Sequence, residues 1–353
     1  CKKILWCSNM KVFQDFREKA VIVLPLIYYF AGPLAFMSYL FSISLAKLKM
    51  RVGFVALTVF LLFLIAYHLI TSSFESMFKI RFFWGWVLFF IFFSSYRLDG
   101  SYALFFKRVL ILLCLYTLFE AVAVNFFIDA SSLPNYPQDR LAAGSHFSDI
   151  YQRPYSFGGN ATVTSTLLVV MSWMLQRRLW NKALLALTVL VLGSATGITL
   201  YIFSVIAKMN HSKNTIITIV VVATILASYF YFIPYEYLGR GKMTYEYFMF
   251  IADDKFGNIL QYINSTGMSD MIIGKISGEA AYGGDSALYS LVVNFGLIGV
   301  LILGLWVLHA CSGSKFLPLF ILLVGSLHYG VIFSLPGQML FGLLLAGGLD
   351  MKE

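Results

Sequence analysis

The sequence predicts an all-α, polytopic membrane helical bundle, and three observations predict it. Hydrophobic residues fill 59% of the 353 positions and charged residues only 12%, against roughly 45–50% and about 25% in soluble domains. Mean hydropathy is +0.80. The apolar residues come in continuous runs near the ~20 residues with which a helix crosses a hydrocarbon core of about 30 Å, and they lack the period-2 alternation of a transmembrane barrel. The whole chain, 1–353, reads as one integral membrane domain with about 10–11 membrane segments and two longer loops on the far side.

Taken in order, "KVFQDFREKA" at 11–20 is a short mixed-charge helix suited to the interface. Apolar segments then follow at 21–46, 52–70, 82–96, 108–128, 160–176, 183–207, 215–233, 285–309, 316–333 and 338–349. The first of them is too long for the apolar region of a cleaved signal peptide, and no small-residue cleavage site follows it. The basic clusters "KLKMR", Arg97 with Lys107 and Arg108, "QRRLWNK", "KMNHSK" and Lys315 assign the loops that carry them to the cytoplasm. By parity, 129–159 and 234–284 lie on the far side and the C-terminus inside. Net charge is +9, from 26 Lys and Arg against 17 Asp and Glu. Retention of basic loops explains it, so no nucleic-acid partner is expected.

Two segments depart from simple crossing. Residues 183–207 have basic loops at both ends and a "GSATG" break between them. Two full crossings would need about 40 residues, so a broken or re-entrant helix pair is expected, which the membrane interior tolerates where protein or water surrounds the break. One helix with a basic loop outside is the other reading. The basic N-terminus falls outside unless "VIVLPLIYYFAGPLAF", with Pro25 and Pro33, also folds back.

The far-side loops, about 30 and 50 residues long, exceed the ~12–15 residues beyond which an unstructured connection is commonly functional or disordered. The first offers Arg140, Arg153, three carboxylates and five aromatic residues, and ends in "QRPYSFGGN". Pro154 fixes the backbone after Arg153 and Gly158-Gly159 permits a close turn into the next helix. This holds a guanidinium ready for a bidentate oxyanion contact, or for headgroups at the membrane surface. The second loop sets tyrosines around "GRGK", with Arg240 and Lys242. That basic turn suits a phosphate and sugars stacked on tyrosine, or equally an interfacial aromatic belt.

Other chemistries find little support. His68, His146, His211, His309 and His328 are scattered, with no zinc-type spacing. The acidic pair in "ADD" at 252–254 reads as solvated more readily than as a cation site. Cys1, Cys7, Cys114 and Cys311 show no paired spacing and read as structural. No metal site and no cofactor are expected.

Asp285 opens the apolar run "GGDSALYSLVVNFGLIGVLILG". A carboxylate beside hydrocarbon is costly unless it faces a cavity or a partner. On a helix it shares a face with Tyr289, while Ser286, Ser290 and Asn294 line the neighbouring stripe, so the upper half of this helix is polar and implies a wet cavity. Asp285 equally reads as a helix cap. Glu120 is the one carboxylate clearly inside an apolar span.

"RPYSFGGN" before a membrane helix, "LVLGSATGITLYIFSV" and "GGDSALYSLVVNFGLIGVL" together resemble three elements of the O-antigen ligase/polymerase superfamily, in the order that family has them. The second element carries Ala195 and Thr196 where Arg and Gly are usual, and the third carries Asp285 where ligases carry His. That departure points to a Wzy-type polymerase of O-antigen or capsule. The resemblance implies a multi-pass protein of the bacterial inner membrane whose active site faces the periplasm, with 129–159 and 234–284 as periplasmic loops. It implies undecaprenyl-diphosphate-linked oligosaccharides as donor and acceptor, membrane lipid around them, a chain-length regulator as partner, and a metal-independent reaction. Arg153 with Arg240 or Arg140 would neutralise the diphosphate, Asp285 or Glu279 would accept the hydroxyl proton, and Lys242, Tyr155, Asn160, Tyr289 and Asn294 would line the substrates. The alternatives are a ligase that transfers glycan to another glycolipid, a transporter of lipid-linked glycan, and a structural membrane partner.

Overall fold

A computed structural model describes residues 2–45, 81–95, 100–128, 153–173, 179–207, 253–274, 286–310 and 316–346, with a few isolated helical positions between them. Every regular element among these residues is helical. The N-terminal part runs as α1 (Lys2–Leu26), a single turn α2 (Tyr28–Ala31), a 3-10 segment (Gly32–Phe36) and α3 (Met37–Leu45). The stretch carrying Pro25 and Pro33 bends by 90° between Gln14–Leu26 and Tyr28–Ser44. Pro33 lies where an ongoing α-helix would need its amide, which favours the break.

α4 (Arg81–Ser95) and α5 (Gly100–Phe126) follow. Then come α6 (Ala161–Trp173), α7 (Leu179–Leu192) and α8 (Ala195–Ala207). In the second long loop, a π-helical turn at Asp253–Gly257 leads into α9 (Asn258–Ser265) and α10 (Met268–Ile273). The chain closes with α11 (Ala287–Ala310), α12 (Phe316–His328), a 3-10 turn at Val331–Phe333 and α13 (Leu335–Ala346).

Among the described residues, two helices, Leu104–Phe126 and Ala287–Leu308, are long and apolar enough to cross a membrane, and the bent N-terminal pair makes a third if it is one span. Six further apolar helices, of 10–17 residues, are shorter than that. The two long helices have apolar stripes facing outward: Leu104, Leu112, Leu115, Phe119, Val122 and Phe126 on α5, and Leu297, Leu301, Leu305 and Leu308 on α11. Spaced three, four or eight residues apart, each set covers one helix face. Contiguous apolar surface of this kind is disfavoured in water and suited to lipid. The expected segments at 52–70 and 215–233 lie almost wholly outside the described residues, as do most of 129–159 and 234–284.

α6 is the centre of the bundle. Every residue from Thr162 to Met171 is buried, and α5, α7, α8, α12 and α13 all pack against it. Among the described helices, α4 and α13 share the most extensive packing. There Trp86 Nε1 donates to the Ile332 carbonyl at 2.7 Å and Gln338 Nε2 to the Phe333 carbonyl at 2.7 Å, while Tyr39 donates its hydroxyl hydrogen to Gln338 Oε1. Buried amide and indole groups are tolerated here because each finds a partner.

Candidate functional site

The segment 153–160 enters the bundle as irregular backbone and a turn, with Pro154 and residues 156–159 buried. Buried backbone of this sort has to place its polar groups on specific partners. Glu120, in the last two turns of α5 and only 7% exposed, supplies the main one. Its Oε1 accepts the N–H groups of Tyr155 at 2.8 Å and Ser156 at 3.1 Å, and its Oε2 accepts that of Ser156 at 3.0 Å. The Thr117 and Ser156 hydroxyls lie 2.5 Å apart.

Ser156 is the one non-glycine residue at positive φ among the described residues, at 54°, a conformation that costs an L-residue about 1–2 kcal/mol. On the other side of the turn, Thr164 donates its hydroxyl to the Tyr155 carbonyl at 3.0 Å and accepts the Gly158 N–H at 3.2 Å. Gly159 is at φ +62°, and a Cβ there would overlap the ring of Tyr29. The N-terminal bend therefore lies directly against this turn. Asn160 begins α6: its Oδ1 accepts the N–H of Thr162 at 2.7 Å and of Val163 at 3.4 Å. Its side-chain oxygen thus serves as the N-cap of α6.

The turn meets the break between α7 and α8. Gly193, at φ +59°, has the Arg153 side chain across it: a Cβ on Gly193 would fall 3.3 Å from Nε and 3.9 Å from Cζ. Ser194 then starts α8, accepting the Gly197 N–H on Oγ at 3.2 Å and the Ile198 N–H on its carbonyl at 2.8 Å. Its Oγ also lies 2.7 Å from Thr162 Oγ1 in the first turn of α6. Gly197 allows the contact, since a Cβ there would overlap Ser165 of α6. The sequence elements at 153–160 and 193–197, separate in the chain, are thus one structure. Two helix N-termini and a guanidinium converge on it, and each helix start contributes positive potential.

The third element lies on α11. Ser286, Ser290 and Asn294 are all buried, while Tyr289 is half-buried. Asn294, 3% exposed, donates Nδ2 to the Ser290 carbonyl at 2.6 Å, and its Oδ1 has no hydrogen-bond partner among the described residues. Gly296 kinks the helix at φ 62°. The backbone there abuts Gly274 at the end of α10: a Cβ on Gly274 would lie 2.5 Å from the Asn294 carbonyl. Tyr262 of α9 meets Tyr289 edge-on, with ring centroids 6.3 Å apart. Burial pushes the Tyr262 phenol above its ordinary value.

Arg153, Tyr155 and Asn160 are therefore brought to one junction, and Tyr289 and Asn294 to another. Asp285, Glu279, Arg140, Arg240 and Lys242 lie outside the described residues. Among the described residues no group of three or more His, Cys, Asp or Glu side chains is arranged to hold a metal ion. Sequence reasoning singled out Glu120 without its partners, and it missed Thr117, Ser156 and the Thr162–Ser194 contact. The hydroxyl-rich run "NATVTST" was the available signal for the last. The chain matches no known family, no curated protein and no solved structure.

Proposed function

We propose that the chain is a membrane glycosyltransferase that polymerises undecaprenyl-diphosphate-linked oligosaccharide repeat units into O-antigen or capsular polysaccharide at the periplasmic face of a bacterial inner membrane. The observation that carries this reading is the junction of the turn 153–160 with the α7–α8 break, where Arg153 lies over Gly193 at the start of two helices. A diphosphate needs such a place. Arginine recognises phosphate oxygens with a planar fork of donors, and helix N-termini favour anions.

The reaction asks for two services. A hydroxyl oxygen of the acceptor bonds to the anomeric carbon of the donor as the bond from that carbon to the diphosphate oxygen breaks, with its electron pair leaving on undecaprenyl diphosphate. Arg153, assisted by Arg240 or Arg140, stabilises the charge that grows on the leaving oxygen. Asp285, immediately before buried Ser286, takes the hydroxyl proton, with Glu279 as the second candidate base. Lys242, Tyr155, Tyr289 and Asn294 are the further candidates to contact the lipid-linked substrates. Asn160 serves the site through α6, which it caps. The partners are lipid-linked glycans, membrane lipid and a chain-length regulator.

A transporter would place its ionisable groups near the middle of the membrane, free to bind cargo. Glu120, inside the span Leu104–Phe126, instead engages the turn with both of its oxygens. That favours a holding role over a carrying one. Arg153→Ala and Asp285→Asn should each abolish chain growth while leaving the amount of protein in the membrane unchanged. Near-normal growth in both would refute the site assignment.

A further inference from the structure

We infer that Glu120 is a positioning residue for Arg153, acting through the backbone of the turn between them. The inference rests on the diphosphate reading of Arg153 given above. A carboxylate in a long apolar helix is costly to keep, and that cost is met only where its oxygens find strong donors. Glu120 spends both oxygens on two consecutive amides, those of Tyr155 and Ser156. Hydrogen bonds to a charged group are the stronger kind.

Those two amides follow Arg153 by two and three residues, and the residue between is Pro154, whose ring fixes its own φ. Thr117, on the same helix as Glu120, adds a hydroxyl contact to Ser156, which is held at positive φ. The turn is pinned again from α6 by Thr164. Few backbone torsions are left between the pinned peptides and the guanidinium over Gly193. Loss of the carboxylate releases Ser156 to relax toward negative φ and carries Arg153 off the helix starts. A side chain that only stabilised α5 would not need two acceptor atoms aimed at another segment.

The test is a double-mutant cycle on the full-length protein in detergent micelles, with undecaprenyl diphosphate as the titrated probe and its Kd as the readout. Glu120→Gln keeps the size of the side chain but turns a donor toward one of the amides. Arg153→Ala should weaken binding about 30-fold and Glu120→Gln about tenfold, while the double variant should match Arg153→Ala within about twofold, since coupled residues do not add. A wild-type Kd for Glu120→Gln, or a double variant weakened by the product of the two single losses, overturns the inference. A wild-type Kd for Arg153→Ala overturns the diphosphate reading itself, and is told apart because it appears in the Arg153 arm. If Glu120→Gln fails to fold, Thr117→Val takes its place in the cycle. It removes only the hydroxyl facing Ser156, and should weaken binding about threefold in the wild type and not at all beside Arg153→Ala.

Discussion

Gly197 offers the most quantitative check on the junction. A Cβ there would overlap both Cβ and Oγ of Ser165 on the facing helix, and its next neighbour, Ser194 Cβ, would be at an ordinary 3.4 Å. Gly197→Ala must therefore push α8 away from α6, and overpacking of this kind costs about 1–3 kcal/mol. Ser165→Gly removes the two obstructing atoms together. Alone it costs about 0.5–1 kcal/mol as a glycine inside a helix, along with the weak bond from Ser165 Oγ to the Thr162 carbonyl. In the double variant the new methyl occupies the space that Ser165 vacated. Helix-propensity effects belong to single sites and cancel in the cycle, so the coupling energy isolates the steric term and should be about 1–3 kcal/mol in favour of the double variant. Unfolding of the four proteins by titration of a denaturing detergent into mixed micelles measures it. Additive effects would refute the close approach of α6 and α8, and with it the convergence of their first turns.

Three further outcomes follow from the same geometry. Asn160→Ala should destabilise the protein by about 1 kcal/mol through loss of the α6 cap, and Asn160→Ser should recover most of it, as read by the same detergent titration. Gly193→Ala places a side chain at φ +59°, which costs about 1–2 kcal/mol, and crowds Arg153; undecaprenyl diphosphate binding should weaken while Gly267→Ala, which meets nothing, binds normally. The Tyr262 phenol is raised by burial, so above pH about 10 the unfolded chain loses that proton first and stability falls as pH rises. Tyr262→Phe should flatten that alkaline limb, seen as a smaller drop in unfolding midpoint.

The apolar runs made the helices legible, because burial in lipid or in a bundle demands continuous hydrophobicity whatever the neighbours are. The bend after Pro25 and the break at Gly193-Ser194 were visible for a related reason: proline and glycine mark positions where the backbone departs from the helix. α9 and α10 were not visible. Each is short and half polar, and α10 is held by the close backbone approach of Gly274 to Gly296, which leaves no periodic signal. The sites were legible as separate motifs, while their joining was not. Arg153 meets Gly193 through the packing of α6 on α7 and α8, and the groups that Glu120 holds are main-chain amides, which carry no residue signature. Asn160 shows the converse. Its place in "RPYSFGGN" drew attention, and the physical demand on it is the open first turn of α6.

Polymerisation of lipid-linked repeat units is the activity proposed for this chain. Its most direct measurement is reconstitution of the purified chain in lipid vesicles with an undecaprenyl-diphosphate-linked repeat unit and excess EDTA, with the products resolved on a glycan gel. The expected result is a ladder of regularly spaced products that disappears with Arg153→Ala. A folded protein that yields no ladder from its matching native repeat unit would contradict it.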